Sequence, residues 1–201
     1  MRLYLVRHAV TGETDKTLSG RLPGIPLSPT GRAMATTMAE QLAAFPVEAV
    51  YSSPIRRCRE TARILGRTWG LTPATVPGLV EADYGRWSGR SLRSLTRLKA
   101  WQRLMTAPAR FRFPDGETLE EVRARAVAAV EAMADRHPAA EVVAVTHADV
   151  VRVLLGHYLG APLDLIHRLH VRPAGVSVVE LAADGSVRVP VVNWGPSPGV
   201  R

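Results

Sequence analysis

Residues 1–12 read MRLYLVRHAVTG, and this stretch decides the fold. From Leu3 to Val6 it is a short apolar run of bulky and β-branched residues, the composition of a buried strand, and it ends abruptly in Arg7 and His8. Open α/β sheets bind their ligands at the carboxyl ends of their strands, so the two side chains stand where such a sheet would use them. Arg7 offers a planar fork for an anion, and His8 an imidazole able to attack or to move a proton. The pair points to phosphate. On two residues alone, an incidental Arg-His dipeptide explains it as well.

Further along, strands and helices alternate. A polar loop punctuated by Gly and Pro runs from Ala9 to Pro26, long enough to be a binding loop. Ser28 and Pro29 then start a helix whose apolar residues, Ala33, Met34, Met38, Leu42 and Ala43, carry it to about Ala44. VEAVYSS (47–53) is a short strand stopping at Ser-Ser-Pro, and a helix follows from Pro54 to about Trp69. Arg56, Arg57 and Arg59 crowd its first turn. Basic groups oppose the helix dipole there, and a phosphate bound beside that terminus would reconcile them.

Thr75 and Val76 mark another short strand, leading into GLVEADYGRWSG (78–89), a loop that carries Glu81 and Asp83. Ser91 to about Thr106 reads as one basic amphipathic helix with Leu92, Leu95, Leu98, Trp101 and Leu104 on one face, a lid spanning about 91–113 with the loop after it. A long helix runs from Glu117 to Arg136. AEVVAVTH (140–147) repeats the opening design, an apolar run ending in His147, and a helix follows over 150–159. Residues 175–181 and 186–194 read as two closing strands joined by a turn, and about 195–201 as a loose tail.

Composition sets limits. At 201 residues, with 46% hydrophobic and 22% charged, residues 1–201 fit one globular domain that buries a core without metals or disulfides. The net charge of +8 comes almost wholly from arginine and favours acidic ligands, but no basic tract marks a nucleic-acid arm. The lone Cys58 excludes an intrachain disulfide framework and fits a cytoplasmic protein. The strand-like start is not a removable signal, and no apolar run is long enough for a membrane span.

Arg7-His8, the Ser52–Arg57 corner, Thr146-His147 and Glu81 can therefore meet at one sheet edge in an α/β fold with a doubly wound, mostly parallel sheet. Two arginines, two histidines and a carboxylate are the parts needed to pass a phosphoryl group through an imidazole. Asp83 competes with Glu81 for the acid's role and reads as a solvated loop residue. Arg56 competes with Arg57 for the phosphate. His137, His157, His167 and His170 lack metal-ligand spacing, and Cys58 reads as core.

LVRHAVT, PLSPTG, YSSPIRRCRETA, LVEADYGRWSG, FPDGET and VAVTHADVVR stand in an order that resembles the histidine phosphatase superfamily, in its phosphoglycerate mutase-like branch, over essentially the whole chain. The resemblance implies a three-layer α/β/α sandwich with a mostly parallel central sheet. It implies a phosphomonoesterase with His8 as the nucleophile that becomes phosphohistidine, Arg7, Arg57 and His147 around the phosphoryl group, and Glu81 as acid and base. Thr11, Thr14, Ser19, Gly20, Arg21 and Ala148 are the further phosphate or substrate contacts. No metal or cofactor is implied, and the partner is a small phosphorylated metabolite, neither a membrane nor nucleic acid; a homodimer is left open. The rival readings are mutase-type phosphoryl transfer, less favoured because the chain is short for a cofactor-dependent mutase, and a phosphate- or nucleic-acid-binding domain without turnover. The chain departs from the family at Val10, where Glu is common, at Thr14, where Asn is common, and at Ala148-Asp149, where paired glycines are common. The last change narrows the pocket or puts a carboxylate beside it.

Overall fold

A computed structural model describes residues 1–195; the expected tail beyond 195 lies outside them. Strands β1 (Arg2–Arg7), β2 (Val47–Ser52), β3 (Ala74–Thr75), β4 (Glu141–Thr146), β5 (Val176–Leu181) and β6 (Val187–Trp194) form one sheet in the order β3-β2-β4-β1-β5-β6. The first four in that order run parallel. β5 and β6 close the sheet antiparallel, as a hairpin.

The opening run is buried on both sides because its side chains alternate between two cores. Leu3 and Leu5 join Val142 and Ala144 of β4 on one face, under helices α5 (Leu119–Arg136) and α6 (Ala148–Tyr158). Tyr4 and Val6 join Val143 and Val145 on the other, under α1 (Pro29–Leu42) and α2 (Arg56–Arg67). A continuous apolar strand is what a sheet covered on both faces requires. The result is the three-layer α/β/α sandwich with a largely parallel sheet.

Local signals set several boundaries. The Ser28 side chain caps α1 at the Gly31 amide, with Pro29 in the first turn. Thr118 and Glu121 close a reciprocal capping box on α5. Three expectations need correction. The helix expected from Pro54 starts at Arg56, because the Ser53 hydroxyl engages His147 and the Ile55 amide and holds the corner outside the helix. The helix expected from Val150 starts at Ala148, directly after His147. The single helix expected over 91–106 is two, α3 (Leu92–Leu95) and α4 (Lys99–Thr106), with Leu98 extended between them. That break lets Trp101 stack on Trp87 at 5.9 Å, so tertiary packing overrides an unbroken 3.6-residue period.

The parallel ladder brings the functional ends together. Arg7 pairs with Thr146, and the His8 amide donates to the Thr146 carbonyl at 2.9 Å. The Ser53 amide donates to the Val145 carbonyl at 2.9 Å. Three strand ends thus lie side by side at one sheet edge.

Candidate active site

His8 is 7% exposed at the floor of a cavity of about 300 Å³. Its Nδ1 lies 2.8 Å from the Ala9 carbonyl, which can only accept, so that nitrogen carries the proton. Arg57 Nε donates to His8 Nε2 at 3.0 Å, and an arginine has no lone pair to offer, so Nε2 is unprotonated. Burial, then the Arg57 and Arg7 charges, hold the imidazole well below the usual histidine range. His8 is neutral, and its Nε2 lone pair meets Arg57 at the cavity wall.

Arg57 stands at the start of α2 with an N-terminal turn that has no side-chain cap. Beyond its bond to His8, its Nη2 donates to the Gly20 carbonyl at 2.7 Å and to His147 Nδ1 at 3.0 Å. Gly20 can turn its carbonyl inward because it adopts φ +50, and a Cβ there would meet the Tyr84 ring at 2.8 Å. Arg7 is anchored through Nη1 on the Val171 carbonyl at 2.7 Å. Arg57 Nη1 and Arg7 Nε are buried with no acceptor among the described residues. Buried guanidinium donors without acceptors, beside an imidazole lone pair, form an anion cradle.

His147 is fully buried and stands behind this cradle, its ring edge-on to His8 at 5.3 Å between centroids. Its Nδ1 accepts from Arg57, so Nε2 carries the proton and donates to the Ser53 hydroxyl at 2.8 Å. Cys58 packs in the core and its sulfur also lies 3.4 Å from that Nε2; burial pushes its thiol up, so it stays protonated.

Glu81 is held at the cavity by its backbone. Arg21 Nε and Arg125 Nη2 both donate to its carbonyl, at 2.9 and 3.1 Å, and both arginines pair with Glu117. Gly85 lets this loop cross the 113–118 turn, since a Cβ there would fall 1.9 Å from the Pro114 carbonyl oxygen. The Glu81 carboxyl is buried and raised to about 7, first by desolvation and then by the charge of Asp149.

Arg7, His8, Thr11, Thr14, Ser19, Gly20, Arg57, Glu81 and Ala148 all line the one cavity. His147 sits one layer deeper, reaching it through Arg57. Arg21 does not line it: its guanidinium is committed to Glu117, Asp83 and the Glu81 carbonyl, which corrects the expected substrate contact to a brace. Arg56 is on the surface, paired with Glu60 at 2.7 Å. Asp83 is half-exposed and also outside the cavity, leaving Glu81 as the carboxyl at the cradle.

Among the wall residues that sequence reasoning missed are Tyr84, Arg152 and His167. Tyr84 donates to Asp149 Oδ2 at 2.8 Å and Arg152 to Oδ1 at 2.7 Å. The i,i+3 spacing of Asp149 and Arg152 was a usable signal for that pair. Asp149, the departure expected to put a carboxylate beside the pocket, does stand on its wall. Burial pushes it up, but Arg152, His167 and the Tyr84 hydroxyl outweigh this and keep it ionised. The lid stripe contributes Leu92, Trp101, Leu104 and Met105 to the wall, while its arginines do not line the cavity.

Among the described residues, no group of three or more His, Cys, Asp or Glu is placed to hold a metal ion, and no helix is long and apolar enough to cross a membrane.

Residues 3–194 match the family described as the histidine phosphatase superfamily, branch 1. The chain is 30% identical over 185 residues to a probable phosphoglycerate mutase, GpmB, of Cronobacter sakazakii, covering 90% of this chain and 85% of that one. Its fold superposes on Bacillus stearothermophilus YhfR with a TM-score of 0.88 at 28% identity, covering 94% of this chain and 95% of the other. It is also similar to a mycobacterial glucosyl-3-phosphoglycerate phosphatase complexed with VO3, with a TM-score of 0.85 at 26% identity and coverage of 96% and 98%.

Proposed function

The chain belongs to the histidine phosphatase superfamily, branch 1, and from that premise we propose that it hydrolyses phosphomonoesters of small metabolites through a phosphohistidine on His8. The observation that carries this reading is a neutral His8 whose Nε2 lone pair faces two buried arginines, with a carboxyl raised to about 7 on the same cavity.

In the first step His8 Nε2 attacks phosphorus in line. The N–P bond forms as the ester P–O bond breaks, and Glu81 gives its proton to the departing alkoxide. The unpartnered donors of Arg7 and Arg57 take the equatorial oxygens, where negative charge gathers. His147 holds the Arg57 fork in the plane this requires. The Ala9 carbonyl, bound to Nδ1–H, stabilises the positive charge that the ring acquires on becoming phosphorylated. In the second step Glu81, now ionised, takes a proton from water as the water attacks phosphorus, and the N–P bond breaks to release phosphate and neutral His8. Uncatalysed phosphomonoester hydrolysis is among the slowest reactions enzymes face, which is why so dense a set of charges is needed.

Residues 1–201 act as one domain in this reading, with about 91–113 as the lid: the cavity wall combines the sheet edge with residues of α3 and α4. A second reading, transfer to a second hydroxyl rather than to water, draws on the name of the GpmB relatives. A phosphate-release screen over a metabolite panel, with 2- and 3-phosphoglycerate followed for isomerisation in parallel, separates the two. Hydrolysis predicts phosphate release that persists in the presence of chelators and disappears in His8→Ala; isomerisation without release would establish the mutase reading.

A further inference from the structure

Asp149 has no part in the two steps above, yet it stands on the same cavity wall as Glu81. Asp149 is 7% exposed and Glu81 5%, so water screens their charges poorly. An ionised carboxylate beside a pocket for a phosphate dianion works against binding unless it serves another end. Its surroundings fix it in place. Tyr84 donates to its Oδ2 at 2.8 Å and Arg152 to its Oδ1 at 2.7 Å, one bond to each oxygen. The Tyr84 ring is clamped edge-on to Phe113 at 4.8 Å, and Arg152 Nε is anchored on the Leu169 carbonyl at 3.0 Å.

Glu81 meets charged groups from every element around it. Arg7 comes from β1, Arg57 from α2, Asp149 and Arg152 from α6, and Tyr84 from its own loop. The Ala82 amide donates to its Oε1 at 3.0 Å. His8 and His147 are neutral, and Arg21 and Arg125 reach only its backbone carbonyl and pair with Glu117. The arginines and the amide favour the ionised carboxyl. Asp149 acts on Glu81 more strongly than Arg57 or Arg7, whereas Arg152 has Asp149 as its main partner. Asp149 is thus the anion that opposes the cradle. Without it, burial alone would keep Glu81 from the ordinary carboxylate range, in which it has no proton to give at neutral pH.

We propose that Asp149 is a positioning residue of the reaction, a fixed negative charge held by Tyr84 and Arg152 that keeps the proton on Glu81 for the first step and strengthens Glu81 as proton acceptor in the second. Asp149 itself exchanges no proton: Glu81 gives one to the leaving alkoxide and regains one from water. The inference rests on the phosphatase reading and deepens it. The family commonly has glycine at this position, so the device belongs to this chain's own departure from the pattern.

The test is the pH profile of kcat/KM for glycerol 3-phosphate with the full chain, reading released phosphate, beside 4-nitrophenyl phosphate, whose leaving group needs little help. In Asp149→Asn the amide can accept from Arg152 and donate to the Tyr84 oxygen, so both contacts are kept while the charge is lost. Asp149→Gly, with the residue common in the family, keeps the test open if that variant folds poorly. In each, the alkaline limb for the glycerol ester should move down by about one pH unit, the shift that removing one like charge brings. The value should then fall up to about tenfold above pH 7 and match the parent at about pH 5, with a smaller change for the nitrophenyl ester. Disturbed packing would instead lower both esters at every pH. In a Glu81→Gln background, Asp149→Asn should shift nothing further. A limb left in place in both Asp149 variants, whatever the loss of rate, with the limb absent from Glu81→Gln, overturns the inference and leaves the phosphatase reading intact. A limb unmoved by Glu81→Gln overturns the role of Glu81 and the inference with it. Release by the parent from neither ester, nor from any of the metabolite panel, overturns the phosphatase reading as well.

Discussion

Two strand ends in this protein begin from the same sequence design and finish with different chemistry. β1 is an apolar run ending in Arg7-His8, and β4 an apolar run ending in Thr146-His147; the two lie side by side in parallel register. The chain beyond each histidine makes the difference. After His8 it enters the long loop from Ala9 onward, so the ring lines the cavity, where Nε2 presents its lone pair to Arg57 Nε–H. After His147 it turns at once into α6, and the ring is fully buried behind Arg57 and Ser53, off the cavity wall. An apolar strand delivers a histidine to a sheet edge, but the next element decides whether that histidine attacks or supports.

The largest expected effect tests that division. His8→Ala should lower kcat at least about 10⁴-fold, the scale of losing a covalent nucleophile, and should abolish any acid-labile phosphoenzyme trapped from a radiolabelled ester. His147→Ala should cost about 10²–10³-fold, the scale of losing one group that orients transition-state charge, yet should still label. Labelling in His8→Ala with none in His147→Ala would reverse the comparison.

The strand ends were legible because their signal is local: Leu3–Val6 and Val142–Val145 announce buried strands, and parallel pairing places their ends together without further information. The family resemblance, not the local sequence, chose Arg57 over Arg56; in the fold Arg57 lines the cavity while Arg56 pairs with Glu60 on the surface. Arg21 was misjudged for a reason no single stretch reveals. Its partners Glu117 and Asp83 are distant in sequence, and only the folded loop shows that they claim the guanidinium. His147 was assigned to the pocket by resemblance, yet its exclusion from the wall depends on Ser53 and Arg57 closing over it from another strand end. The single lid helix failed likewise, since periodicity sees the apolar face of 91–106 but not the Trp87 ring against which the second half must turn.

A smaller effect sharpens the claim that both histidines are neutral. Burial, with Arg57 next, holds each of them well below the usual histidine range, so neither should titrate near pH 7. Glu81, raised to about 7, should. As the acid in the first step it must be protonated, so kcat/KM for esters of poor leaving groups should fall as pH rises through about 7. Glu81→Gln should lose that alkaline limb and about 10²-fold in rate for alkyl esters, with less loss for aryl esters of acidic phenols. The ester's own second ionisation affects parent and variant alike, so the difference between their profiles isolates Glu81. Parent and variant profiles that superpose through pH 7 would mean that Glu81 is not the titrating acid, and the division of roles around the two strand ends would have to be redrawn.

The smallest effect concerns how firmly the supporting histidine is held. Ser53→Ala removes the acceptor of His147 Nε2–H inside a fully buried site, and leaving a buried donor unpaired costs about 1–3 kcal/mol. The Cys58 sulfur, 3.4 Å from the same nitrogen, is a weak substitute acceptor and places the loss toward the lower end of that range. Measured as a lower urea midpoint at unchanged slope, this is a stability effect; its kinetic counterpart should be a fall of at most about tenfold in kcat, since Arg57 still holds His147 Nδ1 and still reaches His8. A loss as large as that of His147→Ala would show that the ring's orientation, set by Ser53 from β2, matters as much as the ring itself. The supporting strand end would then be a three-strand device, with the ends of β1 and β4 meeting Arg57 through His8 and His147 and the end of β2 holding His147 through Ser53.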